Sequence, residues 1–186
     1  MFDLFTKQAE AVGAECRLVG DRRQAISLIV SVLKTEGVED LPGRWAVWAN
    51  DRLMGEDERR EILHGAPGVR FDVSRETASQ ALVGISDMDW GVAQTGTLLS
   101  NASAVDCRLV STLPPIHVAL LPVNRIVLDM ATALARLDVR RCAYVAAITG
   151  PSRTADIERV LTIGVHGPRR LLIVLIQDSE HGGAKE

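Results

Sequence analysis

The sequence predicts an α/β fold: an open, mostly parallel sheet with helices on both faces and an antiparallel β-hairpin insertion. Three observations carry this expectation. Runs that are apolar almost throughout, such as IHVALLP at 116–122 and LLIVLIQ at 171–177, read as strands buried on both faces. Between such runs lie segments whose apolar residues recur at three- and four-residue steps, the period of helices that cover a sheet. One stretch, 84–100, breaks the alternation. It has three glycines, two threonines and no helical period, yet contains the strand-like WGVA and TLLS, so a hairpin with Thr95-Gly96 at its bend is expected.

Taken in order, Phe2, Phe5, Ala9 and Val12 outline a first amphipathic helix, and Ala25, Ile29 and Val32 a second, with the strand-like CRLVG between them. Asp21 is the expected N-cap of the second helix and Gly37 its stop. After Pro42-Gly43, Trp45, Val47 and Ala49 alternate as in a strand. The charged MGEDERREI that follows predicts a helix with a solvated, ion-paired face; GVRFDV is then a strand, and Ser74 begins another helix. In the second half IHVALLP is a strand, Asp129 caps MATALARL, and RCAYVAAIT is a further strand of the sheet. A helix over about 152–163 and the strand LLIVLIQ complete the pattern. Residues 1–178 are expected to form one domain, and the polar, glycine-rich 179–186 a frayed tail.

Composition narrows the function. With 186 residues, 47% apolar residues and a net charge of -3, the chain is too apolar and too weakly charged for intrinsic disorder. Only three of its 21 basic residues are lysines, and no broad basic face is expected, which disfavours nucleic acid. The longest apolar run, 171–176, falls far short of the roughly 20 residues of a spanning helix, and the N-terminus lacks the pattern of a secretory signal. The three cysteines, 16, 107 and 142, are far from any CxxC spacing and read as reduced thiols in a cytoplasmic protein. The four histidines, 64, 117, 166 and 181, include no pair at metal-ligand spacing. No metal site and no cofactor bound by this chain are expected. Nucleophile-elbow, P-loop and dinucleotide-binding signatures are absent.

The most informative segment is ITGPSRTADIERVLTIGVHGP, where a strand-like run delivers Gly-Pro-Ser into a helical pattern. Free N–H groups at that helix start, with Arg153 beside them, would suit an anion at the C-terminal edge of the sheet. A well-capped helix with Ser152 as N-cap and Asp156 and Glu158 complementing its dipole accounts for the same residues. Both readings stay open. AQTGTLLS places Gly96 between two hydroxyls, a geometry that serves a carboxylate pocket or a plain tight turn. His117, just inside a strand entered through Pro114-Pro115, needs a hydrogen-bond partner whether it is core or ligand-binding. Trp45, Trp48 and Trp90 read as core or interface, since no basic residues are interleaved with them.

The motifs TGTLLSNAS, STLPPIHVALLP, GPSRTADIE and GVHGP, in this order and spacing, resemble the LUD domain, and more narrowly the lactate utilisation protein C family, over about 83–177. The resemblance implies a fold like that of the phosphosugar isomerase, CoA-transferase and formyltetrahydrofolate cyclo-ligase superfamily. It further implies a role in oxidising L-lactate to pyruvate with iron–sulfur partner proteins, the chain being a component of an iron–sulfur L-lactate dehydrogenase complex. Mapped onto this sequence, the motifs converge on Thr95, Gly96, Thr97, His117, Gly150, Ser152, Arg153, Asp156 and His166 as ligand-binding residues for a small carboxylate or phosphate at strand ends. Many members have an acidic residue immediately before the Thr-Gly-Thr, where this chain has Gln94. The reading favoured is a subunit or accessory protein of a lactate-oxidising system, with the iron–sulfur clusters in its partners. The alternative is a free-standing enzyme of the same superfamily that transfers an acyl or phosphoryl group.

Overall fold

The computed structural model describes residues 1–49, 52–155, 161–163 and 167–177. Helix α1 (Phe2–Ala11) buries Phe5 and Ala9, four residues apart on one face, and leads into β1 (Glu15–Val19). Helix α2 (Arg22–Thr35) starts at Asp21, whose carboxylate accepts the Gln24 N–H at 2.7 Å. Gly37, with φ +75°, follows its end as the sequence predicts. Then come β2 (Trp45–Ala49), α3 (Glu56–Gly65), β3 (Val69–Arg70), α4 (Arg75–Ser79) and β4 (Ala81–Asp87). The solvent side of α3 is ion-paired as expected, Arg60 reaching both Glu56 and Asp57, while Ile62 faces the core.

The expected hairpin is formed by β5 (Trp90–Val92) and β6 (Thr97–Asn101), followed by α5 (Val105–Thr112), β7 (Ile116–Pro122) and β8 (Ile126–Val127). Asp129 caps α6 (Met130–Leu137) by accepting the Thr132 N–H at 2.8 Å. The chain then runs through β9 (Val145–Ile148), β10 (Arg153–Ala155), β11 (Leu161–Ile163) and β12 (Arg170–Ile176).

Six strands in the order β1-β12-β7-β4-β2-β3, all parallel, make the main sheet. Strand residues alternate between its two faces. Val118 and Leu120 of β7 join Leu172 and Val174 of β12 under α2 and α3, whereas Ala119 and Leu121 join Leu171 and Ile173 under α1. Each of these fully buried leucines stabilises the fold by roughly 1.5–3 kcal/mol. Helices α4 and α5 cover the second face farther along, against Val47 and Ala49. Burial on both faces is why the runs are continuously apolar. In β2, Ala46 and Trp48 point to one helix layer and Val47 and Ala49 to the other.

Two expectations are corrected. RCAYVAAIT does not extend the main sheet; its strand β9 pairs antiparallel with β6 in a four-stranded sheet ordered β8-β5-β6-β9. The helix over 152–163 is replaced at both ends by strands, with Arg153 opposite Ile163 and Ala155 opposite Leu161 in an antiparallel pair. The segment has helical apolar spacing but poor helical chemistry. Thr154, Ile157, Val160, Thr162 and Ile163 are β-branched, and Ser152 is followed three residues on by Ala155 rather than by the Glu or Gln of a capping box. The expected tail at 179–186 lies outside the described residues.

Candidate functional site

The segment that leaves β9 folds back against α1 and against the entrance to β12. Gly150 has φ +71°, and a side chain there would collide with the Val12 carbonyl at the end of α1. The Ser152 N–H donates to the Pro168 carbonyl at 2.8 Å, so the GPS and HGP motifs are bonded to each other. Arg153 reaches the same helix end, donating from Nη2 to the Val12 carbonyl at 2.9 Å. A guanidinium at a helix C-terminus is electrostatically favoured, and among the described residues this is the one hydrogen bond that Arg153, with five N–H donors, makes.

These contacts enclose a cavity of about 450 Å³, within the size range of small-molecule sites. Its walls are the end of α5 at Ser111 and Thr112, the run 147–153, Gly167-Pro168, and the second residues of β7 and β12, His117 and Leu171. Thr112, Thr149 and Arg153 are exposed and form its mouth, and His117 is buried.

His117 is 1% exposed. Its Nε2 lies 2.9 Å from Ser86 Oγ on the neighbouring strand β4, and its Nδ1 is buried with no partner among the described residues. Burial disfavours the charged imidazolium and pulls the pKa down to about 4, so the ring is neutral at physiological pH. The expectation of a histidine near a strand entrance that must find a partner is met on one nitrogen only.

Of the nine residues singled out by the sequence, His117, Gly150, Ser152 and Arg153 line this cavity. Thr95, Gly96 and Thr97 stand beside it rather than in its wall. The Thr95, Thr97 and Thr149 hydroxyls form a row with spacings of 2.7 and 2.8 Å, and only Thr149 reaches the cavity. Gly96, with φ +65°, is fitted against the backbone of Gln8 and Ala9, so the bend docks α1 onto the hairpin. Asp156 and His166 lie outside the described residues. Gln94 is exposed, its backbone N–H donating to the Leu128 carbonyl at 3.0 Å.

The cavity sits at the amino ends of β7 and β12, not at the C-terminal edge where the rule for open α/β sheets would put it. The opposite edge is tied down. Asp87 Oδ2 accepts the Leu53 N–H at 2.6 Å, and Asp89 pairs with Arg52 at 2.7 Å while accepting the Asn101 N–H at 2.7 Å. Sequence reasoning missed Ser86 and Thr149, because their partners are 31 and 52 residues away. A serine two positions beyond Gly84 in the apolar ALVGIS was the one available signal for Ser86.

Residues 2–176 match the LUD domain. This chain belongs to the LUD domain family. Among the relatives of this LUD domain, lactate utilization protein C of Bacillus velezensis is 37% identical over 146 residues, covering 73% of this chain and 59% of that protein. The protein of the same name from Exiguobacterium sp. is 39% identical over 113 residues, 58% of this chain and 49% of the relative. The chain spans about half the length of the curated relatives it matches. The crystal structure of a DUF162 family protein from Deinococcus radiodurans has the same fold, with a TM-score of 0.67 over 94% of this chain and 95% of that one at 18% identity. No helix among the described residues is long and apolar enough to cross a membrane.

Proposed function

We propose that this LUD domain is a subunit or accessory protein of an L-lactate utilisation system and binds a small anionic ligand in the cavity at the amino ends of β7 and β12. The relatives that carry the name lactate utilization protein C support the system. The observation that supports the site is that motifs separated along the chain, around His117, Gly150–Arg153 and Gly167-Pro168, share one cavity wall with the Arg153 guanidinium at its mouth. Arg153 supplies the positive charge for a carboxylate, its own position fixed by the Val12 carbonyl, and Thr149 connects the wall to the hydroxyls of the hairpin bend. Oxidation of L-lactate to pyruvate releases two electrons and two protons. In this reading the electrons pass to iron–sulfur partner proteins, and the chain itself holds and orients the acid.

Arg153→Ala tests the assignment in a host whose growth on L-lactate depends on this protein. Arg153 is exposed and, among the described residues, makes one hydrogen bond, to a backbone carbonyl, so the melting temperature should fall by no more than a few degrees while lactate-dependent growth is lost. Normal growth of the variant contradicts the role of Arg153. Absence of iron–sulfur proteins from material co-purified with the tagged chain out of lactate-grown cells contradicts the partnership.

A further inference from the structure

The hydrogen bond between Ser86 and His117 leaves one proton over, on Ser86 Oγ or on His117 Nδ1, according to which side chain donates. Both side chains are almost fully buried, at 3% and 1% exposure, and Ser86 Oγ has no second partner among the described residues. If Nε2–H donated to Ser86, the serine hydroxyl proton would be left buried without an acceptor. If Ser86 O–H donates to Nε2, the proton left over is the one on Nδ1, on a residue of the cavity wall where a ligand can supply an acceptor, whereas Ser86 is not among the residues that line the cavity. The ring proton then sits on Nδ1.

Nδ1 is then a buried N–H donor without a partner among the described residues, on a residue that lines the cavity, and such a donor requires an acceptor. The neutral ring cannot serve as a cation, so charge recognition falls to Arg153, the charged side chain in the cavity wall among the described residues. One neutral N–H donor on a residue of the cavity wall and one guanidinium at its mouth suit a ligand oxyanion, carboxylate or phosphate, held at both points. The volume of about 450 Å³ leaves room for more than the six heavy atoms of lactate, at roughly 30 Å³ for each water-sized group.

We infer that His117 donates from Nδ1 to an oxyanion in the cavity and that Ser86 is the positioning residue that sets its tautomer. This assignment rests on reading the cavity as the ligand site. The nitrogen-15 spectrum of the imidazole in the full chain reports the tautomer directly, and L-lactate, pyruvate and inorganic phosphate serve as separate probes. The expected results are an Nδ1–H tautomer in the free protein and a downfield shift of that proton when a probe binds. His117→Gln should weaken binding roughly 10- to 100-fold, the worth of one hydrogen bond to a charged group, whereas His117→Asn, whose amide can stand where Nδ1 was, should retain most of it. Ser86→Ala should shift the ring toward Nε2–H and weaken binding, and Ser86→Thr should restore both, a pattern that loss of packing alone does not produce.

The outcomes separate the two claims. Binding of L-lactate or pyruvate with Nδ1 unmoved overturns this inference and leaves the proposed function standing. A shift of Nδ1 with phosphate but with neither organic acid supports the inference and overturns the lactate reading. An Nε2–H tautomer in the unaltered protein, or no binding of any probe, overturns the inference.

Discussion

Acidification will destabilise this protein through His117. The ring is buried and neutral in the folded chain with a pKa near 4, whereas in the unfolded chain it titrates at the ordinary 6.5. Above pH 6.5 both states hold the ring neutral and it contributes no slope. Between pH 6.5 and 4 the unfolded state binds a proton that the folded state refuses, so stability falls as pH falls, by up to about 1.4 kcal/mol per unit and about 3 kcal/mol across the window. That is a sizeable share of a typical 5–15 kcal/mol. Urea unfolding at half-unit steps from pH 7 to 4.5, on the unaltered chain and on His117→Asn, isolates the effect, because the carboxylates titrate alike in both. The unaltered chain should lose stability more steeply than the variant, by about 1 kcal/mol per unit below pH 6. Parallel pH profiles would refute the claim that the folded chain keeps this imidazole uncharged.

Gly96→Ala should cost about 2–4 kcal/mol by urea unfolding, since it adds a left-handed alanine and drives its methyl into the backbone of α1 at Ala9; a loss below 1 kcal/mol would contradict the docking role of the bend. Glu15 has its pKa lowered first by the hydrogen bond from Arg170 and then by that residue's charge, so the pair stabilises above pH 4.5 and the benefit disappears as pH falls below it. The difference in melting temperature between the unaltered chain and Arg170→Met should accordingly shrink from pH 6 to pH 3; a constant difference would contradict the coupling. Burial pushes the thiols of Cys16 and Cys107 up to about 11, leaving half-buried Cys142 the accessible one. Native protein should react rapidly at one thiol with a chromogenic disulfide and at all three in urea, and fast reaction of all three without denaturant would contradict the packing of β1 and α5.

Much of the architecture could be read from periodicity because the central strands β12, β7, β4 and β2 are buried twice, once on each face of the sheet. The caps at Asp21 and Asp129 and the bend at Thr95-Gly96 were legible for a local reason: a short polar side chain or a glycine was required at one position of the backbone. What could not be read was decided over distance. Residues 152–163 carry a helical spacing, but β-branched residues at both ends and the bond from Ser152 to Pro168 favour the strands at Arg153–Ala155 and Leu161–Ile163 instead. The site shows the same limit. His117 and Arg153 were recognisable as residues of interest, yet their roles depend on Ser86 from β4 and on Val12 at the end of α1, partners that no local spacing reveals. The choice of sheet edge was likewise invisible, because a buried strand reads alike in either direction until its neighbours are known.

Backbone amide shifts during a titration with L-lactate give the most direct check on where the ligand sits. Saturable movements are predicted at Thr112, Gly150, Arg153 and Gly167, at the amino ends of β7 and β12, with Leu53, Asp87 and Asp89 at the other edge unmoved. Movements at those three with the first four still, or a spectrum that lactate leaves unaltered throughout, would contradict the assignment of this cavity as the lactate-binding site.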